Sequence, residues 1–514
     1  MRILPLLLLP PLLLSLSPPA PDLTLLQSGS DCRGLTTPGS ARPLTLSAVA
    51  RIGYGFATFL GGPSPSVSVG LDPRLSGPAL ARSFASGVVA AGGSVTFVGL
   101  STTPAMFTEL PAHDGSVMVT ASHLPPAWNG LKFFAARSGA GLDAGEMSRV
   151  LSLAPAEPPA LPPSFSLPPA RSILPRYAAL LSRTVRSLLP PSPLPLSGLS
   201  LALNAGHGAG GFVAAALAAL GAEVHGLHLE PDGEFPAHPA NPEHPEAVRS
   251  TAAAVLGQGA DLGIIFDTDV DRAGFVSSGG EPLNRNRLVA LAAAIALRGS
   301  PGCAVVTDSV TSNGVRRFIE GRGGEHVRFR KGYKNVIDEA ARIDGLNGRA
   351  CELAIETSGH AAFRSNGWLD DGAHLACLVV AEVKRGGIEG LLEGLEEPAE
   401  SQEVRLNAGG MEETRGAMRR AERRIRDAVE SRGAWTVEPV NHEGVRVAVD
   451  EGGGRKGWFL VRESLHEPLV AVMVESDVAG GGGEIARDLL ELVFAGEAGD
   501  LDLGPLEDLA KVNA

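Results

Sequence analysis

Thr120-Ala-Ser-His-Leu-Pro-Pro-Ala-Trp-Asn-Gly-Leu-Lys132 is a turn-prone stretch that continues the short apolar run Ser116-Val-Met-Val-Thr120. The run predicts a buried strand by its length and its β-branched residues. Because α/β folds present reactive groups at the ends of such strands, we expect Ser122 on an exposed bend, with His123 beside it and Lys132 within one loop's reach. A serine–histidine pair in a turn is more often structural, so this stretch alone does not establish a nucleophile.

A second stretch, Asp267-Thr-Asp-Val-Asp-Arg272, follows another apolar run that predicts a strand. Its three carboxylates at alternate positions would repel one another on a solvated strand face. A hard divalent cation removes that repulsion, and Mg²⁺ prefers such oxygen ligands together with a phosphate oxygen. An acidic turn without a metal is the alternative. An EF-hand loop is disfavoured, because the glycine and the bidentate glutamate that it needs are absent at the required spacings.

The two stretches together resemble one family. The patterns TASH-x-P…NG-x-K and D-x-D-x-D-R are similar to those of the α-D-phosphohexomutases, which include phosphomannomutase, phosphoglucomutase and phosphoglucosamine mutase. Glu356-Thr-Ser-Gly-His360 matches the sugar-binding loop of this family. Arg462-Glu-Ser-Leu-His-Glu-Pro468 resembles its phosphate-binding loop, in which the arginine and the serine match while positions 463, 465 and 466 depart. The resemblance covers nearly the whole chain from about Gln27.

The resemblance implies a phosphorylated serine, a Mg²⁺ ion, and a hexose 1,6-bisphosphate that acts as activator and intermediate. The implied catalytic residues are Ser122, His123, Lys132, Arg33, Arg272 and His360. The implied metal ligands are Ser122, Asp267, Asp269 and Asp271. The implied substrate-binding residues are Glu356, Ser358, His360, Lys331, Arg462, Ser464 and His466. Lys132, His123 or His360 would take the proton from the attacking hydroxyl.

Apolar runs that alternate with helical periods predict an α/β fold, in which three similar βαβ domains with mixed sheets precede a smaller α+β domain. The resemblance implies that the four domains surround one cleft. The predicted boundaries are 1–26 for a leader, 27–172 for domain I, 173–290 for domain II, 291–400 for domain III and 401–514 for domain IV. In this order, the domains carry the serine loop (120–127), the aspartate loop (267–272), the sugar loop (356–360) and the phosphate loop (462–468).

Two further segments have structural interpretations. The proline-rich segment 153–170 predicts a stiff linker or surface loop. Ala205-Gly-His-Gly-Ala-Gly-Gly211 resembles a phosphate-binding glycine loop, but it lacks the dinucleotide-binding spacing. We interpret it as a packing element.

The composition restricts the partners. The 514 residues carry a formal net charge of −13, from 44 basic and 57 acidic side chains, which argues against a nucleic-acid surface. A sugar phosphate would therefore need a local basic pocket. The four cysteines, Cys32, Cys303, Cys351 and Cys377, are expected to be buried free thiols, although a single disulfide stays open. The sequence does not set the oligomeric state, which we expect to be a monomer or a homodimer.

The N-terminal run, Met1-Arg-Ile-Leu-Pro-Leu-Leu-Leu-Leu-Pro-Pro-Leu-Leu-Leu-Ser15, resembles the core of a secretory signal. It is too short and too interrupted by proline to span a membrane. Asn284-Arg-Asn-Arg287 and Lys331-Gly-Tyr-Lys-Asn-Val336 are most similar to a subgroup of the family from plant and algal plastids, close to phosphoglucosamine mutase. We therefore expect the plastid stroma. A cytoplasmic protein with a misjudged start and a secretory protein are the alternatives.

The predicted function is the Mg²⁺-dependent interconversion of hexose 1-phosphate and hexose 6-phosphate, with glucose as the preferred sugar and mannose or glucosamine as alternatives. Three other functions stay open at this point. A hexose 1,6-bisphosphate synthase would use the same residues. A sugar-phosphate sensor without turnover is suggested by the altered phosphate loop at Glu463 and His466. A secreted phosphatase is suggested by the leader.

Overall fold

The computed structural model describes residues 22–37, 39–136, 140–158, 165–452, 456–464 and 467–511. Most of the predicted leader and the predicted phosphate ligand His466 lie outside the described residues. Within these ranges, no helix is both long and apolar enough to cross a bilayer. All four cysteines are buried free thiols, which confirms the favoured interpretation of them.

The first sheet lies in residues 22–158. Its strands and the helices around it are β1 (Gln27–Ser28), β2 (Asp31–Leu35), α1 (Leu46–Leu60), β3 (Ser66–Leu71), α2 (Gly77–Ala90), β4 (Ser94–Leu100), α3 (Thr103–Phe107), β5 (Gly115–Val119), β6 (Trp128–Ala135), β7 (Ala140–Gly141) and α4 (Ala144–Ser152). The strand order is β1-β2-β6-β5-β3-β4, with β7 beside β6. The strand predicted at 116–120 is β5. Helices α1 and α2 approach closely, because a Cβ on Gly87 would lie only 1.9 Å from the carbonyl oxygen of Ala50.

The second and third sheets follow in the chain and also combine parallel and antiparallel strands. The elements around the second sheet are α5 (Leu174–Leu188), β8 (Ser200–Asn204), α6 (Phe212–Ala218), β9 (Glu223–Leu227), α7 (Pro245–Gln258), β10 (Leu262–Phe266), β11 (Ala273–Ser277) and β12 (Pro282–Leu283). Helix α8 (Asn286–Gly299) comes next in the chain and packs against the third sheet. The other elements around the third sheet are β13 (Ala304–Thr307), α9 (Asn313–Gly321), β14 (Glu325–Arg328), α10 (Tyr333–Ile343), β15 (Cys351–Ile355), β16 (Ala361–Phe363) and α11 (Gly372–Gly386). The strand orders are β12-β11-β10-β8-β9 and β14-β13-β15-β16.

The three sheets share one arrangement of four strands. In each, three parallel strands are followed by a strand that returns antiparallel to the last of them: β6 after β5, β11 after β10 and β16 after β15. The serine loop, the aspartate loop and the sugar loop each occupy this return connection. Since the carboxyl ends of parallel strands lie at one edge of a sheet, the repeated topology presents each loop at the same edge of its own domain.

The glycine-rich segment 205–211 packs tightly, as predicted. A Cβ on Gly211 would lie 2.1 Å from the carbonyl oxygen of Leu229. The amide of Ala209 donates to the carbonyl oxygen of Thr268, at 2.8 Å. This segment therefore supports the aspartate loop through a backbone hydrogen bond.

The fourth sheet is antiparallel throughout. Its elements are β17 (Glu400–Asn407), α12 (Met411–Ser431), β18 (Trp435–Val437), β19 (Val445–Asp450), β20 (Lys456–Glu463), β21 (Leu469–Ser476), α13 (Gly481–Asp488) and α14 (Gly504–Lys511). The strand order is β17-β21-β20-β19-β18, and α12 packs against the sheet. The predicted change from α/β to α+β architecture is confirmed.

Packing joins the domains. One apolar core contains Met118 and Phe134 of domain I, Leu203 and Phe266 of domain II, and Ile355 of domain III. A core shared in this way holds the three return loops at fixed positions relative to one another, because packed interiors deform little.

Domain IV joins domain III through Arg446, which is 1% exposed. Its guanidinium donates to the carbonyl oxygens of Ser309 and Thr311, at 2.8 and 3.3 Å, and lies 3.3 Å from the centre of the Trp458 ring. Burial and the nearby Arg328 lower the pKa of Arg446 to about 9. Domain IV is thereby anchored to the loop that follows β13.

Candidate active site

Ser122 lies in the serine loop and is only 2% exposed, so the prediction of an exposed bend is wrong. The aspartate loop of domain II covers it. Oγ of Ser122 donates to Oδ2 of Asp267 at 2.9 Å, and Nδ1 of His123 lies 3.3 Å from Oγ of Ser122. Ser122 has a φ of 52°, a left-handed conformation that is uncommon for a residue with a side chain. The loop must therefore be held by other groups.

Arg74, in the turn after β3, supplies that support. Its guanidinium donates to the carbonyl oxygens of Ser122, Leu124, Pro125 and Trp128. Asp72 pairs with Arg74 at 3.1 Å, and the ring of Phe235 from domain II lies 5.2 Å from the guanidinium carbon. The sequence prediction did not include Arg74 among the site residues. The available signal was an Asp-Pro-Arg turn directly after a buried strand.

The three aspartates of the aspartate loop are fully buried and lie together. One carboxylate oxygen from each of Asp267, Asp269 and Asp271 can be chosen so that all three lie within 4.8 Å of one another. Burial, with Asp271 and Asp269 adding negative charge, raises the pKa of Asp267 well above its usual range. Oδ1 of Asp269 and Oδ1 of Asp271 are buried and have no hydrogen-bond partner among the described residues. Since unpaired buried acceptors are costly, these oxygens fit a hard divalent cation.

Two basic side chains, Lys132 and Arg272, offset part of the negative charge of the three aspartates. Nζ of Lys132 donates to Oδ2 of Asp269 at 2.8 Å and to Asp271. Burial opposes the charge on Lys132, but the two aspartates raise its pKa well above the usual value. Nε of Arg272 lies 3.2 Å from Oδ2 of Asp267, and a second guanidinium nitrogen lies 3.5 Å from Oγ of Ser122. The local basic groups that the sequence required are therefore present.

Arg33 and His123 lie on the domain I side of the cluster. Arg33, on β2, donates to Oδ2 of Asp31 at 2.8 Å, and its buried Nε has no hydrogen-bond partner in the described part of the chain. The positive charge of Arg272, burial and the charge of Arg33 hold the pKa of His123 well below its usual value. A neutral imidazole therefore faces the serine oxygen.

The sugar loop lies directly beside the aspartate loop, since His360 and Arg272 form an isolated antiparallel β-bridge. Nδ1 of His360 is bonded to Oδ2 of Asp370 at 2.6 Å and lies 3.9 Å from Oδ1 of Asp271. Burial alone would lower the pKa of His360, but Asp370 and Asp271 raise it to about 9. These three side chains also form a group with metal-ligand spacing, although the hydrogen bond from His360 to Asp370 already satisfies two of them.

Glu356 and Ser358 lie at the other end of the sugar loop. Oε1 of Glu356 accepts from the amide of Gly332 at 2.6 Å, and the Ser358 hydroxyl lies 3.4 Å from Oε2. The side chain of Asp308 accepts from both the amide and the hydroxyl of Thr357, at 3.1 and 2.8 Å. Burial and then the charge of Asp308 raise the pKa of Glu356. A carboxylate and a hydroxyl therefore lie together where a sugar could bind.

Arg462 and Lys331 meet at one carboxylate, that of Glu403 on β17. Oε2 of Glu403 lies 3.1 Å from a guanidinium nitrogen of Arg462 and 3.8 Å from Nζ of Lys331. The Ser464 hydroxyl accepts from the amide of Glu467 at 3.3 Å. The two predicted phosphate-binding cations thus lie together across the boundary between domains III and IV, with an internal anion between them.

Glu463 lies in the phosphate loop, where an unpaired carboxylate would repel the phosphate of a substrate. In the structure it pairs with Arg415 of α12 at 3.4 Å. It lines a cavity of about 440 Å³ together with Arg415, Glu422, Glu443 and Ser464. The charge of Glu463 is therefore offset by a local arginine.

The structure brings the predicted residues together in two groups. The first group contains Ser122, His123, Lys132, Arg33, Arg272, His360 and the three aspartates. The second contains Lys331, Glu356, Ser358 and Arg462, which are connected through Glu403 and the backbone of residues 331–332, and Ser464, which lies two residues after Arg462. Sequence reasoning missed Arg74, Asp370 and Glu403.

Comparison with known proteins identifies the family. Residues 26–150, 176–280 and 284–399 match the models of phosphoglucomutase/phosphomannomutase α/β/α domains I, II and III. The chain is 31% identical to a phosphomannomutase/phosphoglucomutase of Pseudomonas aeruginosa, over 80% of this chain and 84% of the relative. It is 30% identical to a phosphoglucosamine mutase of Sorangium cellulosum, over 89% of this chain and 91% of the relative.

A solved structure agrees with these matches. A phosphoglucomutase/phosphomannomutase family protein from Burkholderia thailandensis superposes with a TM-score of 0.75 at 26% identity, covering 93% of this chain and 99% of that protein. The four-domain architecture is therefore shared with a relative of known structure. On these matches, the chain belongs to the phosphoglucomutase/phosphomannomutase family of α-D-phosphohexomutases, isomerases that transfer phosphate intramolecularly.

Proposed function

We propose that the protein interconverts hexose 1-phosphate and hexose 6-phosphate through a phosphorylated Ser122 and a hexose 1,6-bisphosphate intermediate. Glucose phosphate is the proposed substrate, and mannose and glucosamine phosphates are the alternatives. One observation carries this proposal. The Ser122 hydroxyl bonds to Asp267 at 2.9 Å, beside two buried aspartate oxygens that have no hydrogen-bond partner within the described ranges. A nucleophile beside a buried carboxylate cluster suits phosphoryl transfer.

We assign Mg²⁺ to Asp267, Asp269 and Asp271, with the serine oxygen of Ser122 as a further ligand. The unpartnered oxygens and the small spacing of the carboxylates support this assignment. When bound, the ion would neutralise negative charge on the transferring phosphoryl group. Lys132 holds Asp269 and Asp271 in place for it.

The first half of the proposed cycle is a transfer from the enzyme to the sugar. A hydroxyl of the bound hexose phosphate attacks the phosphorus on Ser122, the bond from phosphorus to Oγ breaks, and a bond from phosphorus to the sugar oxygen forms. Arg33, Arg272 and Lys132 stabilise the charge on the phosphoryl oxygens. The product is a hexose bisphosphate, and Oγ of Ser122 becomes the attacking group for the second half.

The proton that the sugar hydroxyl loses is assigned to the neutral form of His360. Because Asp370 and Asp271 raise the pKa of His360 to about 9, the share of this form increases as the pH rises. Nδ1 of His360 is bonded to Asp370, so the opposite ring nitrogen is the one that can meet a sugar hydroxyl. His123 contacts Oγ of Ser122, which places it on the serine side, and Lys132 is bonded to two aspartates. In the second half, the other phosphoryl group moves to Ser122 and the proton returns to the released sugar oxygen.

The sugar and its second phosphate are assigned to the other group of residues. Glu356 and Ser358 would bind two sugar hydroxyls. Lys331, Arg462 and Ser464 would hold the phosphate that is not reacting, because cations and hydroxyl donors suit phosphate oxygens. The bisphosphate intermediate must bind in two orientations, with either phosphate next to Ser122. The same residues therefore bind whichever phosphate is not reacting.

Phosphorus NMR tests the proposal. The protein would be incubated with Mg²⁺, a trace of hexose 1,6-bisphosphate, and the 1-phosphate of glucose, mannose, glucosamine or N-acetylglucosamine. The expected result is conversion of one sugar to its 6-phosphate, lost on chelation. Steady release of inorganic phosphate would instead indicate a phosphatase, and net accumulation of bisphosphate from a phosphate donor would indicate a synthase. No conversion of any sugar would contradict the proposal.

A further inference from the structure

Three consecutive residues, Lys331, Gly332 and Tyr333, connect domain III to three different parts of the site. The amide of Lys331 donates to Oε1 of Glu443 in domain IV at 2.9 Å. The amide of Gly332 donates to Glu356 in the sugar loop, as described above. Tyr333, the first residue of α10, extends its side chain into domain I. This segment thus contacts domain I, the sugar loop of domain III and domain IV.

The hydroxyl of Tyr333 contacts the hairpin that carries Arg33. It lies 3.0 Å from Oγ of Ser30 and donates to Oδ1 of Asp31 at 3.2 Å. Asp31 is 3% exposed, and its other oxygen, Oδ2, accepts from Arg33. One buried carboxylate is therefore shared between a domain III tyrosine and the arginine proposed to stabilise the phosphoryl group.

The ring of Tyr333 contacts two further cationic groups of the site, His360 and Lys132. It stacks on His360, with centroids 5.2 Å apart and planes inclined by 24°. Nζ of Lys132 lies 5.9 Å from the ring centre. The hydroxyl and the ring thus act on opposite sides, the first on the Arg33 hairpin and the second on the sugar loop.

We propose that Tyr333 is a positioning residue, which aligns Arg33 through Asp31 and aligns His360 through ring stacking. This inference rests on the proposed function, since it assigns a role in the alignment of that same site. An arginine side chain has many rotamers, and a carboxylate held from a second domain restricts them before the substrate arrives. Arg33 is then correctly aimed only while domains I and III are in contact.

Two substitutions separate the two contacts. Tyr333→Phe removes the hydroxyl and keeps the ring, whereas Tyr333→Leu removes both. We expect kcat to fall about tenfold in Tyr333→Phe and about a hundredfold in Tyr333→Leu, with KM within about twofold of wild type, because alignment matters most in the transition state. Tyr54→Phe, on α1 of domain I, is the matched control and should keep wild-type kinetics.

A second readout does not depend on turnover. Hydrogen–deuterium exchange of the backbone amides at residues 30–34 should be faster in Tyr333→Phe than in wild type and unchanged in Tyr54→Phe. Unchanged exchange, or unchanged kcat, in Tyr333→Phe would overturn the inference. The inference would also be overturned if the lower kcat of Tyr333→Phe were explained entirely by a lower thermal midpoint of unfolding. An inactive wild type with the expected change in exchange would contradict the proposed function and leave the alignment role standing.

Discussion

The two halves of the cleft handle charge differently. In the half formed by domains I and II, Asp267 pairs with Arg272, and Asp269 and Asp271 pair with Lys132, all with side chains at most 3% exposed. In the half formed by domains III and IV, Lys331 and Arg462 share the single carboxylate of Glu403, whose side chain is 21% exposed. The buried half is organised before any ligand binds. The other half holds an internal anion where the phosphate of a substrate would bind.

This difference has a physical reason. Phosphoryl transfer depends mainly on fixed positions and charge stabilisation, which a dry and rigid cluster provides. Binding and release of a sugar phosphate in two orientations require contacts that exchange readily. Partly exposed ion pairs exchange at low cost, because water screens them. Substitutions in the first half should therefore change kcat, and substitutions in the second should change KM.

Ser122→Ala should give the largest effect. Without the nucleophile, we expect kcat to fall by about 10⁴-fold or more. Affinity for a hexose phosphate, measured by titration calorimetry, should stay close to that of wild type, because the binding residues lie in the other half. Ser64→Ala, in an exposed bend, is the control. Loss of binding in Ser122→Ala would show that the serine has a structural role and would break the separation of the two halves.

Removal of divalent cations should have the next largest effect. Chelation should lower kcat by about 10³-fold, and added Mg²⁺ should restore it. A cation bound to the native state should also raise the thermal midpoint of unfolding, and Asp269→Asn should abolish that rise. A midpoint that does not respond to Mg²⁺ in the wild-type protein would contradict the assignment of the aspartate cluster as the metal site.

Arg74→Met should affect both activity and stability. The serine loop would lose three hydrogen bonds, so we expect kcat to fall about a hundredfold. Asp72 would become an unpaired buried charge, so the free energy of unfolding should fall by about 3 kcal/mol or more, as followed by chemical denaturation. The double variant D72N/R74M should recover part of the stability without recovering kcat. Recovery of kcat together with stability would show that Arg74 does not position Ser122.

Glu403→Gln should give the smallest effect and the most informative sign. Removal of the internal anion should lower KM for the hexose phosphate by about threefold, because the substrate phosphate no longer competes with it. Arg462→Gln is the matched variant and should raise KM about tenfold. In both variants, kcat should change little. A higher KM in Glu403→Gln would mean that Glu403 orients Arg462, and the half formed by domains III and IV would then also be organised in advance.

The sequence predicted the elements that depend on local pattern. The apolar runs before Ser122 and Asp267 form buried strands, as predicted. The α/β architecture followed by an α+β domain and the family were also predicted. These features are encoded within short windows or in motifs, so they need no knowledge of distant contacts.

The burial of Ser122 and several contacts that support the site were not predicted, because they depend on distant parts of the chain. Ser122 is buried because residues about 145 positions further along the chain cover it, and its own segment gives no sign of that cover. Arg74, Tyr333 and Glu403 likewise contact their partners across loops or domain boundaries. A polar residue in a turn has the same local pattern whether it faces solvent or another domain, so only the folded arrangement separates the two.

The central claim is that Ser122 carries the transferred phosphoryl group. Peptide mass spectrometry after incubation with a hexose 1,6-bisphosphate and Mg²⁺ tests it most directly, followed by a chase with hexose 1-phosphate. The account predicts phosphate on the peptide that contains Ser122, and its transfer to the sugar within one turnover. Phosphate on another residue, or phosphate that stays on Ser122 while the sugar phosphates interconvert, would contradict it.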